Sequence, residues 1–214
     1  RTVLVTAGPT FEAIDPVRGI TNHSSGKMGF AIARAAAEAG ATVTLVAGPV
    51  HLPTPAGVRR INVQSARDML AAVLPLAPTH QIFVATAAVA DWRPAQASEH
   101  KVKKDGSGQA PSLTLTENPD ILATVAALPM DQRPWCVGFA AESQDVVKHA
   151  RAKRLRKGVP LIVGNLGPAT FGRDHNTLVL IDAQGEVELP TGHKLALARE
   201  LVREFARRLP QPHP

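Results

Sequence analysis

The 214-residue chain contains one cysteine, no tyrosine and only 4% aromatic residues. A single cysteine excludes an internal disulfide framework and is typical of proteins from a reducing cytoplasm. Scarce aromatic side chains disfavour a stacking platform for single-stranded nucleic acid. No apolar run approaches the roughly 20 residues that a transmembrane helix needs, and nothing near the first residue resembles a signal peptide. We therefore expect a cytoplasmic protein that does not bind membranes.

The sequence starts with Arg1, which leads directly into the apolar run 3–5, whereas a natural chain normally begins with Met. We therefore expect it to be part of a longer protein. The composition, 44% hydrophobic and 20% charged, is ordinary for a globular protein. A chain of 214 residues can form one α/β domain with an ample core.

Basic residues outnumber acidic ones by 24 to 18, which gives a net charge of +6 and a pI near 10.0. This balance fits nucleic acid, an acidic membrane surface or small polyanionic substrates. Because aromatic side chains are scarce, the composition favours phosphorylated small molecules.

Short apolar runs rich in β-branched residues alternate with Ala- and Leu-rich segments. The pattern predicts strands at residues 2–6, 42–46, 58–63, 81–85, 135–139 and 160–163. It predicts helices at residues 27–39, 66–74, 119–127 and 144–156, with Gly40 ending the first. This βα rhythm predicts an α/β fold with a doubly wound, mostly parallel sheet.

Two segments interrupt that rhythm. Residues 93–117 are polar, with alternation at 101–104 and 112–116, and predict a flexible arm. Residues 177–189 contain two strand-like runs around AQG and predict an antiparallel hairpin at the edge of the sheet. A last helix is expected at about 193–209, which closes one domain of residues 1–209 before a frayed tail, 210–214.

The stretch 21–30, TNHSSGKMGF, precedes the first helix and has the composition of a phosphate-binding loop. It does not fit the dinucleotide fingerprint, whose glycines follow the first strand directly and open the next helix. It does not fit the Walker A loop either, because Lys27 is followed by Met28 rather than by Ser or Thr. What remains is a helix N-terminus, whose free N–H groups attract anions.

Two interpretations of this helix start remain open. Ser24, Ser25, Gly26 and Gly29 would hold phosphate, or Ser25 would be an N-cap and Gly29 a contact with the sheet. For Asn22, the residue pattern alone favours a structural role in the loop over polarisation of a reacting carbonyl.

Three further segments are candidates for nucleotide contact. The residues after the strand at 81–85 are small and end with Asp91, so a flat base could lie on their backbone. The alternative is a tight strand exit with a solvated carboxylate. The segment 118–121, NPDI, predicts a helix start with an Asn cap and Pro in the first position. Phe139 either flanks a base or belongs to the core.

The run 148–157, KHARAKRLRK, carries the densest positive charge. Lys153 and Lys157 are four residues apart and share one helix face, so they could straddle a triphosphate. The usual alternative is a solvated basic face.

Taken in order, these segments resemble the phosphopantothenate–cysteine ligase family. The resemblance covers residues 2–208 and is carried by GPT (8–10), IDPVR (14–18), NHSSGKMG (22–29), ADWRP (90–94), KVKK (101–104), NPDI (118–121), GFAAE (138–142) and AKRLRK (152–157). Several linked motifs in order are far more specific than any single one.

The resemblance implies a Rossmann-like ligase domain. In the bacterial type, CTP with Mg²⁺ activates the carboxylate of 4'-phosphopantothenate as an acyl-cytidylate and releases pyrophosphate. Cysteine then attacks through its amine, which gives 4'-phosphopantothenoylcysteine and CMP. It also implies a homodimer, with the hairpin at 177–189 as the candidate contact, and a covalently linked N-terminal decarboxylase domain that carries FMN.

The resemblance also assigns roles to residues. Asn22 would position the acyl intermediate and Lys101 would stabilise charge during cytidylyl transfer. Arg18 and Asn165 would contact substrate, and no metal ligand is assigned. The nucleotide would be bound, together with Lys101, by Gly8, Ser24, Gly26, Gly29, Ala87, Asp91, Asn118, Pro119, Asp120, Ile121, Phe139, Lys153 and Lys157.

The chain departs from the family pattern at three places. A polar or basic residue is expected where Phe11 stands, and an aromatic residue where Gly19 stands. The segment 164–166, GNL, replaces a more familiar Ala-Asn-Asp or Ala-Asn-Asn.

Two other functions compete with the ligase. A nicotinamide-dependent reductase fits the sheet, but the glycine fingerprint and a tyrosine for proton relay are missing from the sequence. A nucleic-acid-binding module would rest on the basic run 148–157 alone, and we expect no such binding.

Overall fold

A computed structural model describes residues 1–104, 106–142, 145–166 and 175–210. Its strands are β1 (Thr2–Ala7), β2 (Glu12–Ala13), β3 (Gly19–Ile20), β4 (Thr42–Ala47), β5 (Val58–Asn62), β6 (Ile82–Ala85), β7 (Trp92–Pro94), β8 (Leu115–Glu117), β9 (Trp135–Glu142), β10 (Leu161–Leu166), β11 (His175–Ile181) and β12 (Glu186–His193). The α-helices are α1 (Lys27–Glu38), α2 (Ala66–Val73), α3 (Ile121–Ala126), α4 (Val146–Lys157) and α5 (Lys194–Arg208).

The central sheet has eight strands in the order β12-β11-β10-β9-β6-β1-β4-β5. Six neighbouring strands of this sheet are parallel, namely β10, β9, β6, β1, β4 and β5. β11 pairs antiparallel with β10, and β12 pairs antiparallel with β11. The predicted doubly wound, mostly parallel sheet with an antiparallel hairpin is confirmed. The chain moves outward from β1 in one direction to β5 and then in the other to β10. Ligands of such sheets bind beyond the carboxyl ends of the strands at this reversal.

Two apolar layers cover the two faces of the sheet. In β1, Val3, Val5 and Ala7 face the layer formed by α1 and α5, whereas Leu4 faces the layer formed by α2, α3 and α4. Alternate side chains of a strand point to opposite faces, so a strand buried on both sides needs an apolar residue at every position. Burial of each such aliphatic side chain stabilises the folded state by about 1.5–3 kcal/mol relative to an exposed one.

Several predicted boundaries are corrected by the structure. α3 begins at Ile121 rather than Pro119, because Asp120 and not Asn118 is its N-cap and accepts a hydrogen bond from the Ala123 N–H. Within the arm, strand pairing joins β7 to β8, and residues 101–104 form no strand. Gln144, the predicted start of α4, lies outside the described residues. Gly40 follows the last residues of α1 with φ of +85°, as expected of a helix stop.

Cys136 lies in β9 and is buried, with Sγ donating to the Pro134 carbonyl oxygen at 3.2 Å. Burial raises the pKa of its thiol to about 12. The thiol therefore stays protonated and is not a nucleophile, which agrees with the sequence-based expectation. Within the described parts of the chain, no helix is long and apolar enough to cross a membrane.

Candidate active site

Two adjoining cavities open at the carboxyl edge of the sheet, beside the reversal at β1 and β6. The first, about 260 Å³, lies between the start of α1 and the ends of β6, β9 and β10. The second, about 330 Å³, lies between the ends of β6 and β9 and the helices α3 and α4. They share walls formed by Ala87, Val89, Phe139 and Lys153. The two cavities therefore form one continuous cleft.

The start of α1 forms one wall of the first cavity. Its N-cap is Gly26, in the left-handed conformation with φ of 73°, so Ser25 is not the cap. The Ser24 hydroxyl accepts a long hydrogen bond from the Gly26 N–H at 3.3 Å, and the Ser25 hydroxyl one from the Lys27 N–H at 3.4 Å. Gly26 has no side chain with which to cap the helix. Because residues 24–29 line the cavity, the positive end of the helix dipole faces it.

Gly29 is where α1 presses against the sheet. A Cβ added at Gly29 would lie 2.3 Å from Thr86 Oγ1 and 2.5 Å from Ala7 Cβ. The contact with the sheet proposed for Gly29 is therefore confirmed. Gly8 and Gly26 pack against each other in the same way, since a Cβ on Gly26 would lie 3.2 Å from Gly8 Cα. These glycines bring the helix start close to the strand ends that form the cleft.

We expect Gly29→Ala to destabilise the domain by about 1–3 kcal/mol, because overpacking outweighs the gain of about 1 kcal/mol in helix propensity. Thermal unfolding should show a midpoint lowered by about 2–4 °C per kcal/mol. Gly192→Ala is the control, since its added Cβ would make only ordinary contacts at 3.9 Å. A Gly29→Ala midpoint at or above that of the wild type would contradict this tight contact.

Asn22 joins the two loops that border the first cavity. Its Nδ2 donates to the Ala88 carbonyl oxygen at 2.6 Å, and its Oδ1 accepts from the Ser24 N–H at 3.0 Å. The structural role that the residue pattern favoured is therefore observed. Its role toward an acyl intermediate stays a prediction.

The segment after β6 lies alongside the segment after β1. The Ala88 N–H donates to the Gly8 carbonyl oxygen at 2.9 Å, and the Ala90 N–H donates to the buried Thr10 hydroxyl at 3.0 Å. Ala87 and Ala88 consequently present only backbone and methyl groups to the cleft. This is a floor on which a flat ligand can lie.

Asn118 closes the far side of the second cavity. Its Nδ2 donates to the Ala90 carbonyl oxygen at 2.8 Å, its N–H donates to the Asp91 carbonyl oxygen at 2.8 Å, and its Oδ1 accepts from Arg93 at 3.1 Å. With its amide engaged in this way, Asn118 is not available as the cap of α3. Pro119, Asp120 and Ile121 continue the same wall.

Some basic side chains of α4 line the cleft and others are exposed to solvent. Lys153 lines both cavities and donates from Nζ to the Phe139 carbonyl oxygen at 2.6 Å. Lys157 lines the second cavity and pairs with Asp120. Arg151 and Arg156 are exposed. The two lysines four residues apart thus face one cleft, as their spacing predicts.

Lys101 and Arg18 stand outside the residues that line the two cavities. Lys101 is exposed on the arm. Arg18 lies in the turn between β2 and β3 and is paired with Asp15, 2.6 Å from Nη2 to Oδ2. The hydrogen bond from Arg18, aided by backbone N–H groups, holds the pKa of Asp15 well below its usual range. Because the folded-state pKa is depressed, this interaction is retained above about pH 4 and is lost only as pH falls towards the folded value.

Two residues that line the first cavity could not be identified as site residues from the sequence. Asn176 in β11 and Lys194 at the start of α5 are 5% and 9% exposed and line the first cavity together with Asn165. Asn176 Oδ1 has no hydrogen-bond partner among the described residues. An unsatisfied buried amide oxygen is a candidate ligand contact. The antiparallel hairpin brings these residues to the cleft through the sheet order, which no local pattern reveals.

Phe11 and Gly19, two departures from the family pattern, are explained by one contact. A Cβ on Gly19 would lie 2.4 Å from the Phe11 ring. The ring therefore lies in the space that a side chain on Gly19 would need, so an aromatic residue at one position accompanies glycine at the other.

No group of three histidine, cysteine or carboxylate side chains lies close enough to hold a metal within the described ranges. Asp91, Glu117 and Asp120 line the second cavity, and Asp120 is paired with Lys157. Magnesium is commonly held by one or two carboxylates together with substrate phosphates. The acidic residues of the second cavity therefore suit an ion that arrives on a triphosphate.

Comparison with known families decides the classification. The family described as the DNA/pantothenate metabolism flavoprotein C-terminal domain matches residues 1–209. The chain belongs to this family. A curated relative, the coenzyme A biosynthesis bifunctional protein CoaBC of Vibrio cholerae, is 54% identical over 94% of the chain. The chain spans about half the length of this relative, 51%.

Two solved structures share the fold of this chain. The C-terminal domain of a coenzyme A biosynthesis bifunctional protein CoaBC is 38% identical, with a TM-score of 0.83 over 98% of this chain and 95% of that one. A Cab2 mutant in complex with phosphopantothenate-cysteine is 16% identical, with a TM-score of 0.77 over 97% of this chain and 87% of that one. The latter likeness concerns the fold alone.

Proposed function

We propose that the chain is a ligase that joins 4'-phosphopantothenate to L-cysteine with CTP in coenzyme A biosynthesis. The observation that carries the proposal is the pair of cavities with a shared wall at Phe139 and Lys153. A ligase of this type must hold a nucleotide and a phosphorylated acid with their reacting atoms adjacent. The relatives are named as coenzyme A biosynthesis proteins, which agrees with this chemistry.

The reaction proceeds in two steps. A carboxylate oxygen of 4'-phosphopantothenate attacks the α-phosphorus of CTP, the bond to the bridging oxygen breaks, and pyrophosphate leaves. In the second step the amine of cysteine attacks the acyl carbon, CMP leaves, and the amine gives up a proton. The products are 4'-phosphopantothenoylcysteine and CMP.

The nucleotide occupies the second cavity. Ala87 and Phe139 border the base, and Asp91 and the backbone near Asn118 contact its polar edge. Lys153 and Lys157 face the triphosphate, where their charge offsets the repulsion between two polyanions. The α1 N-terminus, with Ser24, Gly26 and Gly29, lines the first cavity and faces the phosphate oxygens from the other side, and Gly8 packs against Gly26.

The acyl group lies where the two cavities meet. Asn22 lines neither cavity but is hydrogen-bonded to Ala88 in the wall of the first, and it holds the acyl intermediate for the amine. The side chain of Lys101 extends to the cleft from the base of the arm, residues 93–117, and the outer part of the arm closes over the cleft and keeps water from the reactive anhydride. Asn165 lies in the wall of the first cavity and contacts the pantothenate portion. Arg18, which lines neither cavity and is bound to Asp15 and Val102, is the second candidate substrate contact.

Mg²⁺ accompanies CTP, and Asp91 and Glu117 are the carboxylates that would hold it. When bound, it neutralises negative charge on the triphosphate. The ligase unit comprises residues 1–209, followed by the tail 210–214. It is linked in the longer protein to an N-terminal decarboxylase domain that carries FMN, and we place the whole in the cytoplasm.

A homodimer completes the proposal. The hairpin of β11 and β12 exposes Val187. Trp92, just before the arm, and Leu113 and Leu115 in the arm are 53%, 47% and 45% exposed. An apolar patch of this kind commonly marks an interface. We therefore add the arm to the hairpin as a candidate contact, and sedimentation of Trp92→Glu against Val187→Glu compares the two.

The choice of nucleotide tests the proposal. With 4'-phosphopantothenate, cysteine and Mg²⁺ present, we expect pyrophosphate release with CTP and at least about tenfold less with ATP, GTP or UTP, the discrimination that one or two base-specific hydrogen bonds supply. Release that requires 4'-phosphopantothenate excludes contaminating phosphatases. Failure to release pyrophosphate with every nucleotide would overturn the ligase assignment.

The two competing functions lack structural support. Residues 8–26 separate β1 from α1, which is too long for the tight glycine turn of a nicotinamide cofactor site. The lysines Lys153 and Lys157 of the basic run face the cleft rather than joining a continuous outer basic face.

A further inference from the structure

Asp15 is a buried carboxylate in an otherwise exposed turn. It is 2% exposed, whereas the three residues after it are exposed. Its Oδ1 accepts from the Val17 and Arg18 N–H groups, both at 2.8 Å, which closes the turn between β2 and β3. This local pattern is the ordinary structural use of aspartate in a turn. It accounts for only one of the two carboxylate oxygens.

The second oxygen, Oδ2, accepts hydrogen bonds from Arg18 and from the distant residue Val102. It accepts from Arg18 Nε at 3.1 Å and Nη2 at 2.6 Å, and also from the Val102 N–H at 3.1 Å. Arg18 Nη2 donates in turn to the Val102 carbonyl oxygen at 2.7 Å. Both backbone groups of Val102 are therefore bound by one ion pair. Hydrogen bonds to charged groups are stronger than neutral ones.

Val102 directly follows Lys101 in the arm. A second tie lies just before it, where the Ser98 N–H donates to the Ile14 carbonyl oxygen at 2.9 Å. Lys101 is thus enclosed between two backbone attachments to the same turn. From residue 103 onward the described residues of the arm are exposed until Thr116.

We propose that Asp15 and Arg18 form a latch that fixes the backbone of Val102 and so positions Lys101, with Asp15 as a positioning residue. The latch divides the arm into a fixed base that carries Lys101 and an outer part that is free to close over the cleft. The role toward Lys101 rests on the proposed function, whereas the latch itself does not.

Tryptic cleavage of the intact protein tests the latch without reference to activity. We expect Asp15→Asn to be cut after Lys101 at least about tenfold faster than the wild type, the effect expected for losing one hydrogen bond to a charged group. Asp68→Asn is the matched control, because Asp68 also accepts backbone hydrogen bonds, in the capping box of α2, and lies outside the arm. Equal cleavage of both variants and the wild type would overturn the latch.

Hydrogen exchange of the wild type provides a measurement that needs no variant. The Val102 amide should exchange at least about tenfold more slowly than in an unstructured peptide of the same sequence. Exchange at the unprotected rate would contradict the latch even if Asp15→Asn fails to fold.

A double-mutant cycle tests the link to Lys101. Asp15→Asn should slow pyrophosphate release when Lys101 is present. In a Lys101→Gln background it should slow release by less than about a further twofold, because the effects of two mutations are not additive when one residue acts through the other. Independent, multiplying effects would show that Asp15 does not act through Lys101. If the wild type releases no pyrophosphate, the proposed function fails while cleavage and exchange still decide the latch.

Discussion

Lys101→Gln is expected to slow the first step, pyrophosphate release, by about 100-fold to 1,000-fold with little change in the KM for CTP. The reason is that Lys101 does not line the nucleotide cavity and its side chain reaches the nucleotide only in the closed site, so its charge acts on the transition state rather than on the bound substrate. Single-turnover measurement of pyrophosphate release, with CTP concentration varied, separates the two parameters. The structure agrees with this separation, since Lys101 is exposed and outside the cavity walls.

Lys103→Gln is the matched control for this prediction. It removes the same charge from the same arm, two residues away, at an exposed position. We expect turnover within about twofold of the wild type, because an isolated exposed charge contributes little. Equal losses in the two variants would mean that only the charge of the arm matters, and unchanged turnover in Lys101→Gln would remove Lys101 from the site.

Asn22→Asp is expected to abolish the cysteine step selectively. A carboxylate would replace an amide donor beside the anionic intermediate, which removes stabilisation worth about 100-fold or more in rate. Pyrophosphate release in a single turnover should continue, and the acyl-cytidylate should accumulate. Acid quench followed by mass spectrometry measures both.

Asn118→Asp provides the comparison for Asn22→Asp. Each asparagine donates from Nδ2 to a backbone carbonyl, Asn22 to Ala88 and Asn118 to Ala90, so both changes damage a similar hydrogen bond. Because Asn118 lines the second cavity, its replacement should impair the nucleotide step first. If Asn22→Asp lowered the rates of both steps together, Asn22 would act only through its two hydrogen bonds to the backbone.

The sheet was predictable because burial on both faces requires apolar strands without alternation. The runs 2–6, 42–46 and 135–139 have that property, and each lies within a strand of the parallel sheet. The hairpin was predictable in the same way, because the turn residues between its two apolar runs are local signals. The structure extends both strands to His175–Ile181 and Glu186–His193.

Features that depend on long-range contacts were not predictable. The sequence suggests an Asn cap for α3, but the Asn118 amide is engaged by Ala90 and Arg93, and Asp120 is the cap instead. Asn176 and Lys194 reach the first cavity only because β11 lies beside β10. The compensation between Phe11 and Gly19 likewise exists only across a folded hairpin.

The candidate site falls between these cases. The spacing of Lys153 and Lys157 places both on one helix face, and the structure brings that face to the second cavity. The phosphate-binding and sheet-contact interpretations of Gly29 were alternatives in the sequence, yet in the structure Gly29 both packs on the sheet and lines the first cavity.

One measurement tests the central claim, that two polyanionic ligands react within a single cleft. The intact protein is incubated with 4'-phosphopantothenate, cysteine, CTP and Mg²⁺, and pyrophosphate, CMP and 4'-phosphopantothenoylcysteine are quantified in the same sample. We expect all three in equal amounts, and only pyrophosphate and the acyl-cytidylate when cysteine is omitted. Pyrophosphate release that does not depend on 4'-phosphopantothenate, or no 4'-phosphopantothenoylcysteine in the complete mixture, would contradict it.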